Sequence, residues 1–149
     1  MKAIVGDLWA VEADFRGIPT NPDVDSDLLA IMGTGVALQA KTRFPDVAKV
    51  LGKFIISFGS RVQPLHLAGL FAFPVKERWF KRASKATIAR SVKELTKLAK
   101  ENSDKTFALP LVGTGAGDLR PEEVWPLLKG LPDNVIVVAQ KPELLPAEI

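Results

Sequence analysis

The chain of 149 residues contains no cysteine, which excludes a disulfide framework, a thiol nucleophile and a thiolate-bound metal. Its one histidine, His66, is too little for a His-rich metal site or a Ser-His relay, although carboxylate sites for hard cations stay open. His66 reads as a strand or turn residue. No apolar run reaches membrane length, and the opening Met-Lys-Ala-Ile-Val-Gly-Asp lacks the apolar stretch of a signal peptide, so the cytoplasm is the expected location. Positive charge is in small excess. Twenty Lys and Arg against 17 Asp and Glu leave +3, enough to favour an anionic ligand without marking a nucleic-acid binder. With 47% hydrophobic and 25% charged residues, the length and composition fit one folded domain, expected over residues 1–140, with 141–149 a loose tail.

What the chain does have is glycine in two informative places. Gly33 and Gly35 bracket Thr34, and a helix is expected to start at once, with Val36, Ala37, Ala40 and Phe44 on one face. Free N–H groups and a positive dipole end behind a glycine turn form a receptor for an anion, most often a phosphate. The same pattern also occurs as a plain turn. A second glycine loop, Gly113-Thr114-Gly115-Ala116-Gly117-Asp118, follows the buried strand expected over Thr106–Val112.

The rest of the chain alternates strands and helices. Strands are expected at Lys2–Val5, Ala13–Pro19, Val62–Leu67, Leu70–Phe73 and Asn134–Ala139. A second helix runs from Asp46 to Gly59, a third from its Ser84 N-cap to about Lys100, and a fourth starts at Pro121-Glu122-Glu123 and ends at Leu131. This alternation predicts a three-layer α/β/α fold whose strand-to-helix loops carry the ligand. Asp7, after the first strand, offers acceptors to an amino group such as that of adenine, or caps its own turn. Asn21, before Pro22, suits a ribose hydroxyl or ordinary turn chemistry. The alternating Asp23, Asp25 and Asp27 lack the glycine and closing glutamate of a calcium loop and read as a solvated segment. The run from Glu77 to Arg82, with Trp79 and Phe80 inside it, reads as a solvated connector or as a grip on nucleic acid.

Taken in order, Gly6-Asp7-Leu8, Pro19-Thr20-Asn21, Met32-Gly33-Thr34-Gly35-Val36-Ala37 and Leu109-Pro110-Leu111-Val112-Gly113-Thr114-Gly115 resemble the macrodomain family, the ADP-ribose-binding module, over nearly the whole chain. The resemblance implies a mixed central sheet, a monomer without metal or cofactor, and a ligand that is ADP-ribose or an ADP-ribosylated macromolecule. It also implies roles: Asp7 and Leu8 at adenine, Asn21 at the distal ribose, and Met32, Gly33, Thr34, Gly35 and Val36 with Gly113, Thr114, Gly115, Ala116 and Gly117 at the diphosphate. Phe73-Pro74-Val75-Lys76, followed by Trp79, Ser84, Ile88 and Ser91, is similar to the branch holding DNA ADP-ribosyl glycohydrolase antitoxins and the terminal ADP-ribose protein glycohydrolase. That branch implies a catalytic Lys76. An amine whose neutral form is favoured by desolvation or nearby positive charge can attack an anomeric carbon. The resemblance also implies a catalytic Asp118, standing in, one position out of register, for the acidic partner of the protein-acting relative. The function implied is removal of ADP-ribosyl groups from DNA or protein, with a non-turning-over reader of ADP-ribose or a phosphatase of ADP-ribose 1″-phosphate as alternatives.

Overall fold

A computed structural model describes residues 1–146. Six strands, β1 (Lys2–Val5), β2 (Phe15–Thr20), β3 (Gln63–Pro64), β4 (Leu70–Pro74), β5 (Phe107–Pro110) and β6 (Val135–Ala139), form one sheet in the order β1-β6-β5-β2-β4-β3. Every neighbouring pair is parallel except β3 with β4, so the sheet is mixed. Four helices accompany it: α1 (Gly35–Arg43), α2 (Val47–Phe58), α3 (Lys85–Glu101) and α4 (Pro121–Leu128).

Alternation along β4 shows why the sheet lies between two helical layers. Successive strand residues point to opposite faces. Phe71 and Phe73 pack with Ile88 and Leu95 of α3 and Val124 and Leu128 of α4, whereas Leu70 and Ala72 pack with Ala40 of α1 and Val47 and Leu51 of α2. Both faces are covered, so the whole of β4 is buried and reads as an unbroken apolar run.

The observed elements differ from expectation at their ends, for local reasons. β2 starts at Phe15 because Asp14 is occupied elsewhere: its carboxylate accepts the Thr106 N–H at 2.8 Å, and its own N–H donates to Thr106 Oγ1 at 3.1 Å. The Thr106 N–H holds the Asp14 carboxyl below the usual carboxylate range, against the smaller opposing effect of burial. The strand expected over Val62–Leu67 shrinks to two residues, because Pro64 has no N–H to give and the chain then turns through positive φ at His66 and Ala68. α4 stops at Leu128, ahead of Gly130 and Pro132. In the expected tail, Pro142–Leu144 form a single 3-10 turn, and the Trp125 indole donates to the Leu144 carbonyl at 2.8 Å; residues 147–149 of that tail lie outside the described residues. Among the described residues, no helix is long and apolar enough to cross a membrane.

Before β2 the chain makes a turn held from beneath by Arg16. Its guanidinium donates to the carbonyls of Leu8 (3.0 Å), Val11 and Ala13. Three otherwise idle acceptors are thereby fixed by one planar donor, and Asp7 and Leu8 are held at the mouth of the adjoining site.

Candidate functional site

Parallel strands end at the same edge of a sheet, and that edge is where α/β folds hold ligands. Here the segments that leave β2, β4, β5 and β6 line one cavity of about 670 Å³, within the ~300–1,000 Å³ typical of small-molecule sites. Asn21 follows β2, Lys76 follows β4, Gly113–Gly117 follow β5 and Gln140 follows β6; Met32–Ala37 line the cavity as well.

Both glycine loops line this cavity and carry backbone N–H groups that the protein does not use. Thr34, at the N-cap of α1, makes no side-chain cap hydrogen bond, and the first turn carries no acidic residue. Neither Gly33 nor Thr34 donates its N–H to an acceptor among the described residues, and the same holds for Thr114, Gly115 and Ala116. Carbonyls of the second loop, in contrast, are used to hold its shape: Gly113 O accepts from Leu119, Gly115 O from Asp118 and Gly117 O from Ala83, at 2.9 to 3.0 Å. Gly117 is required sterically, since a Cβ there would lie 2.6 Å from the Gly113 carbonyl oxygen. Gly33 and Gly115 differ: a Cβ on either would meet no protein atom within 4 Å, so the space beside them is free for a ligand. Unused donors at a helix N-terminus and in a second loop thus line the same cavity, and helix N-termini and loops of this kind are able to receive anions.

A second recess of about 600 Å³ adjoins the first and shares Val36, Gln39, Pro110, Val138 and Gln140 with it. Asp7, Leu8 and Trp9 line this part. Asp7 Oδ1 caps its own turn by accepting the Trp9 N–H at 3.0 Å, and Oδ2 has no hydrogen-bond partner among the described residues. The Trp9 indole donates to Gln39 at 2.8 Å, and the Arg43 guanidinium lies 4.8 Å over its ring, which fixes an aromatic wall.

Lys76 lies directly beyond β4, half-buried, with Nζ 3.4 Å from the Trp79 carbonyl and no ion pair among the described residues. Two contacts hold the chain around it. Ser91, fully buried on α3, donates to the Pro74 carbonyl at 2.6 Å, and the Ser84 N–H closes the loop on Val75 O at 2.8 Å. Asn21 also lines the cavity, but its amide is engaged with its own loop, Nδ2 donating to Ile31 O at 3.0 Å and Oδ1 accepting the Asp23 N–H at 2.9 Å. Asp118 is not brought to the cavity. Its side chain is 80% exposed and lies 3.4 Å from Arg82 Nε, at a residue with φ 61°.

Sequence reasoning did not single out Thr20, Gln39, Gln140 or Leu144 as site residues, yet all four line the cavity. Gln140 had a readable signal, being the first residue past the last strand of a parallel sheet. Leu144 had none, because its position depends on the docking of a segment with no periodic pattern. The acidic stretch after Asn21 also proves less solvated than expected: Asp23 accepts from Arg78 Nε at 2.9 Å and from the Trp79 N–H at 2.8 Å. Burial pushes this carboxyl up, but the Trp79 N–H and Arg78 together outweigh it and hold it below the usual range. Among the described residues no group of three or more His, Asp or Glu is arranged to hold a metal ion.

No family model matches the chain. A curated relative, the DNA ADP-ribosyl glycohydrolase of Thermus aquaticus, is 28% identical over 150 residues, covering 80% of this chain and 41% of that protein; the chain therefore spans well under half of the curated relatives it matches. The macrodomain of Mycobacterium tuberculosis DarG superposes with a TM-score of 0.72 at 24% identity, over 93% of this chain and 95% of that one. Thermosipho africanus DarTG in complex with ADP-ribose gives a TM-score of 0.73 at 21% identity, over 95% of this chain and 41% of that one.

Proposed function

We propose that this chain, a macrodomain by fold with DNA ADP-ribosyl glycohydrolases among its relatives, binds ADP-ribose between its two glycine loops and removes ADP-ribosyl groups from DNA or protein. The observation that carries the reading is that two glycine loops with unused backbone N–H groups line one cavity. A diphosphate is the anion whose two charges such a pair accommodates. Asp7 Oδ2 and Leu8 then meet adenine in the adjoining recess, and the distal ribose extends toward Asn21 and Lys76.

Lys76 is the group suited to act on that ribose. Its amine, once neutral, attacks the anomeric carbon; the bond to the base or side chain breaks and the departing atom takes a proton. Water then displaces the lysine, releasing ADP-ribose and returning the free amine. Asp118, pointing to Arg82, has no part in this scheme. The domain, with Leu144 of the segment after β6 lining its cavity, works as a cytoplasmic monomer and needs no metal or cofactor for these steps.

The test is a thermal melt with ADP-ribose, which at ~100 times its dissociation constant stabilises by roughly 2.7 kcal/mol, with ADP, AMP and ribose 5-phosphate as controls. Release of ADP-ribose from a modified oligonucleotide or peptide establishes turnover. Binding without release favours a reader, and phosphate release from ADP-ribose 1″-phosphate favours a phosphatase. The absence of any shift with ADP-ribose removes the whole reading.

A further inference from the structure

The recess beside the main cavity is lined by two opposite charges that do not meet. Asp7 and Arg43 both line it, and neither forms an ion pair among the described residues. Arg43 is exposed, and its guanidinium, 4.8 Å over the Trp9 ring, donates to no acceptor among the described residues. That ring is itself fixed, by the indole hydrogen bond to Gln39 at 2.8 Å and by packing against Phe44, centroids 6.1 Å apart. A planar fork of donors is thus held on an aromatic wall with its hydrogens free. Arg43 ends α1, about 12 Å of helix rise from Gly35 at the other end, and it lines the recess without lining the cavity between the glycine loops. Its charge therefore belongs to the adenosine end of the site.

We propose that Arg43 forms an anion subsite for a phosphate carried on the adenosine ribose, so that the recess takes ADP-ribose phosphorylated at the 2′- or 3′-hydroxyl of that ribose in preference to the plain form. The inference rests on the ADP-ribose reading above and adds a second charge to its ligand. Adenine joins the diphosphate through this ribose, so with the base at Asp7 and the diphosphate at the glycine loops the ribose lies where recess and cavity meet. Its two hydroxyls are then the points from which a further group turns into the recess. An adenosine that carries a phosphate offers an amino donor to the free Asp7 Oδ2 and an anion to Arg43, which is the arrangement that two separated and unpaired charges suit. Arginine takes this part beside adenosine 2′-phosphates in other α/β folds, because its fork binds two phosphate oxygens at once. The recess of about 600 Å³ is of the size that takes a whole small ligand, ~300–1,000 Å³, and so leaves room beyond one flat base.

The test measures dissociation constants by calorimetry for ADP-ribose, for its 2′- and 3′-phosphates on the adenosine ribose, and for ADP-ribose 1″-phosphate, which carries the same added charge on the other ribose. At least one adenosine-ribose phosphate is expected to bind about tenfold more tightly than ADP-ribose, as one hydrogen-bonded contact to a charged group provides, and the advantage should shrink as salt is raised. Because Arg43 also steadies Trp9, the informative quantity is the ratio of phosphorylated to plain affinity within each variant. That ratio falls to about one in Arg43→Gln and is kept in part by Arg43→Lys, while the ratio for the 1″-phosphate is the same in all three proteins. The subsite is overturned if neither adenosine-ribose phosphate binds more tightly than ADP-ribose, if the advantage survives Arg43→Gln, or if the 1″-phosphate gains and loses affinity alongside them. Failure of ADP-ribose and of all three phosphates to bind overturns the parent reading instead.

Discussion

The carboxylate of Asp23 lies 2.8 Å from the backbone nitrogen of Trp79, a contact across 56 residues that ties the segment after β2 to the loop carrying Lys76. Its carboxyl is pushed up by burial and pulled further down by Trp79 and Arg78, so the folded value lies below the ordinary 3.8. The stabilisation is therefore complete above pH 3.8 and is lost as pH falls through the lower folded value. A hydrogen bond to a charged group contributes ~1.5–3 kcal/mol, discounted here because Arg78 is half exposed. Asp23→Asn is expected to cost about 1 kcal/mol at neutral pH, or roughly 3 °C in Tm. Melts of both proteins should converge as the pH is taken well below 3.8; a difference that persists there contradicts the ionic origin of the effect.

Lys76→Ala and Lys76→Arg separate charge from nucleophilicity. Arginine keeps the positive charge but does not lose its proton in proteins. Both variants should release ADP-ribose in single turnover at least about a hundredfold more slowly than the parent, while the arginine variant retains most of the affinity for ADP-ribose. Full rate in either variant excludes the lysine mechanism.

Glycines in the two loops should fail in different ways. Gly33→Val adds side-chain bulk in a direction where no protein atom lies within 4 Å of the Cβ. It should leave Tm unchanged and abolish the ADP-ribose-induced shift. Gly117→Ala drives a Cβ against the Gly113 carbonyl and Ala83 and should lower stability by about 1–3 kcal/mol even without ligand. Paired melts with and without ADP-ribose distinguish the two.

Ser91 is buried with its hydroxyl 2.6 Å from the Pro74 carbonyl, two residues before Lys76. Ser91→Ala strands that acceptor at a cost of about 1–3 kcal/mol. Because the bond fixes the strand end that presents Lys76, the turnover rate should fall more than ADP-ribose affinity. Equal losses in both would assign Ser91 to general stability alone.

The order of strands and helices was legible because it depends on local periodicity and on caps such as Ser84, whose Oγ accepts the Thr87 N–H at 3.2 Å. The two glycine loops were legible as loops beside helix starts, and the alternation of elements put them at the sheet edge where the cavity lies. What the sequence hid are contacts between remote segments. Asp23 looked like one of three solvated aspartates until the Trp79 loop came to meet it. Asp118 looked like an acid beside the second loop, but its positive φ and its contact with Arg82 turn it outward. Neither outcome has a signature within a few residues, since each depends on a partner brought close only by the complete fold.

Pro64 makes up half of β3, the strand at one margin of the sheet. Lacking an N–H, it leaves that margin short of donors with which an incoming chain would pair. Concentrated solutions should accordingly resist edge-to-edge growth from that side. Any polymerisation by strand addition would have to begin at the opposite margin, where Ile4 and Val5 lie partly open to water, and a charged residue placed there is the change by which to suppress it.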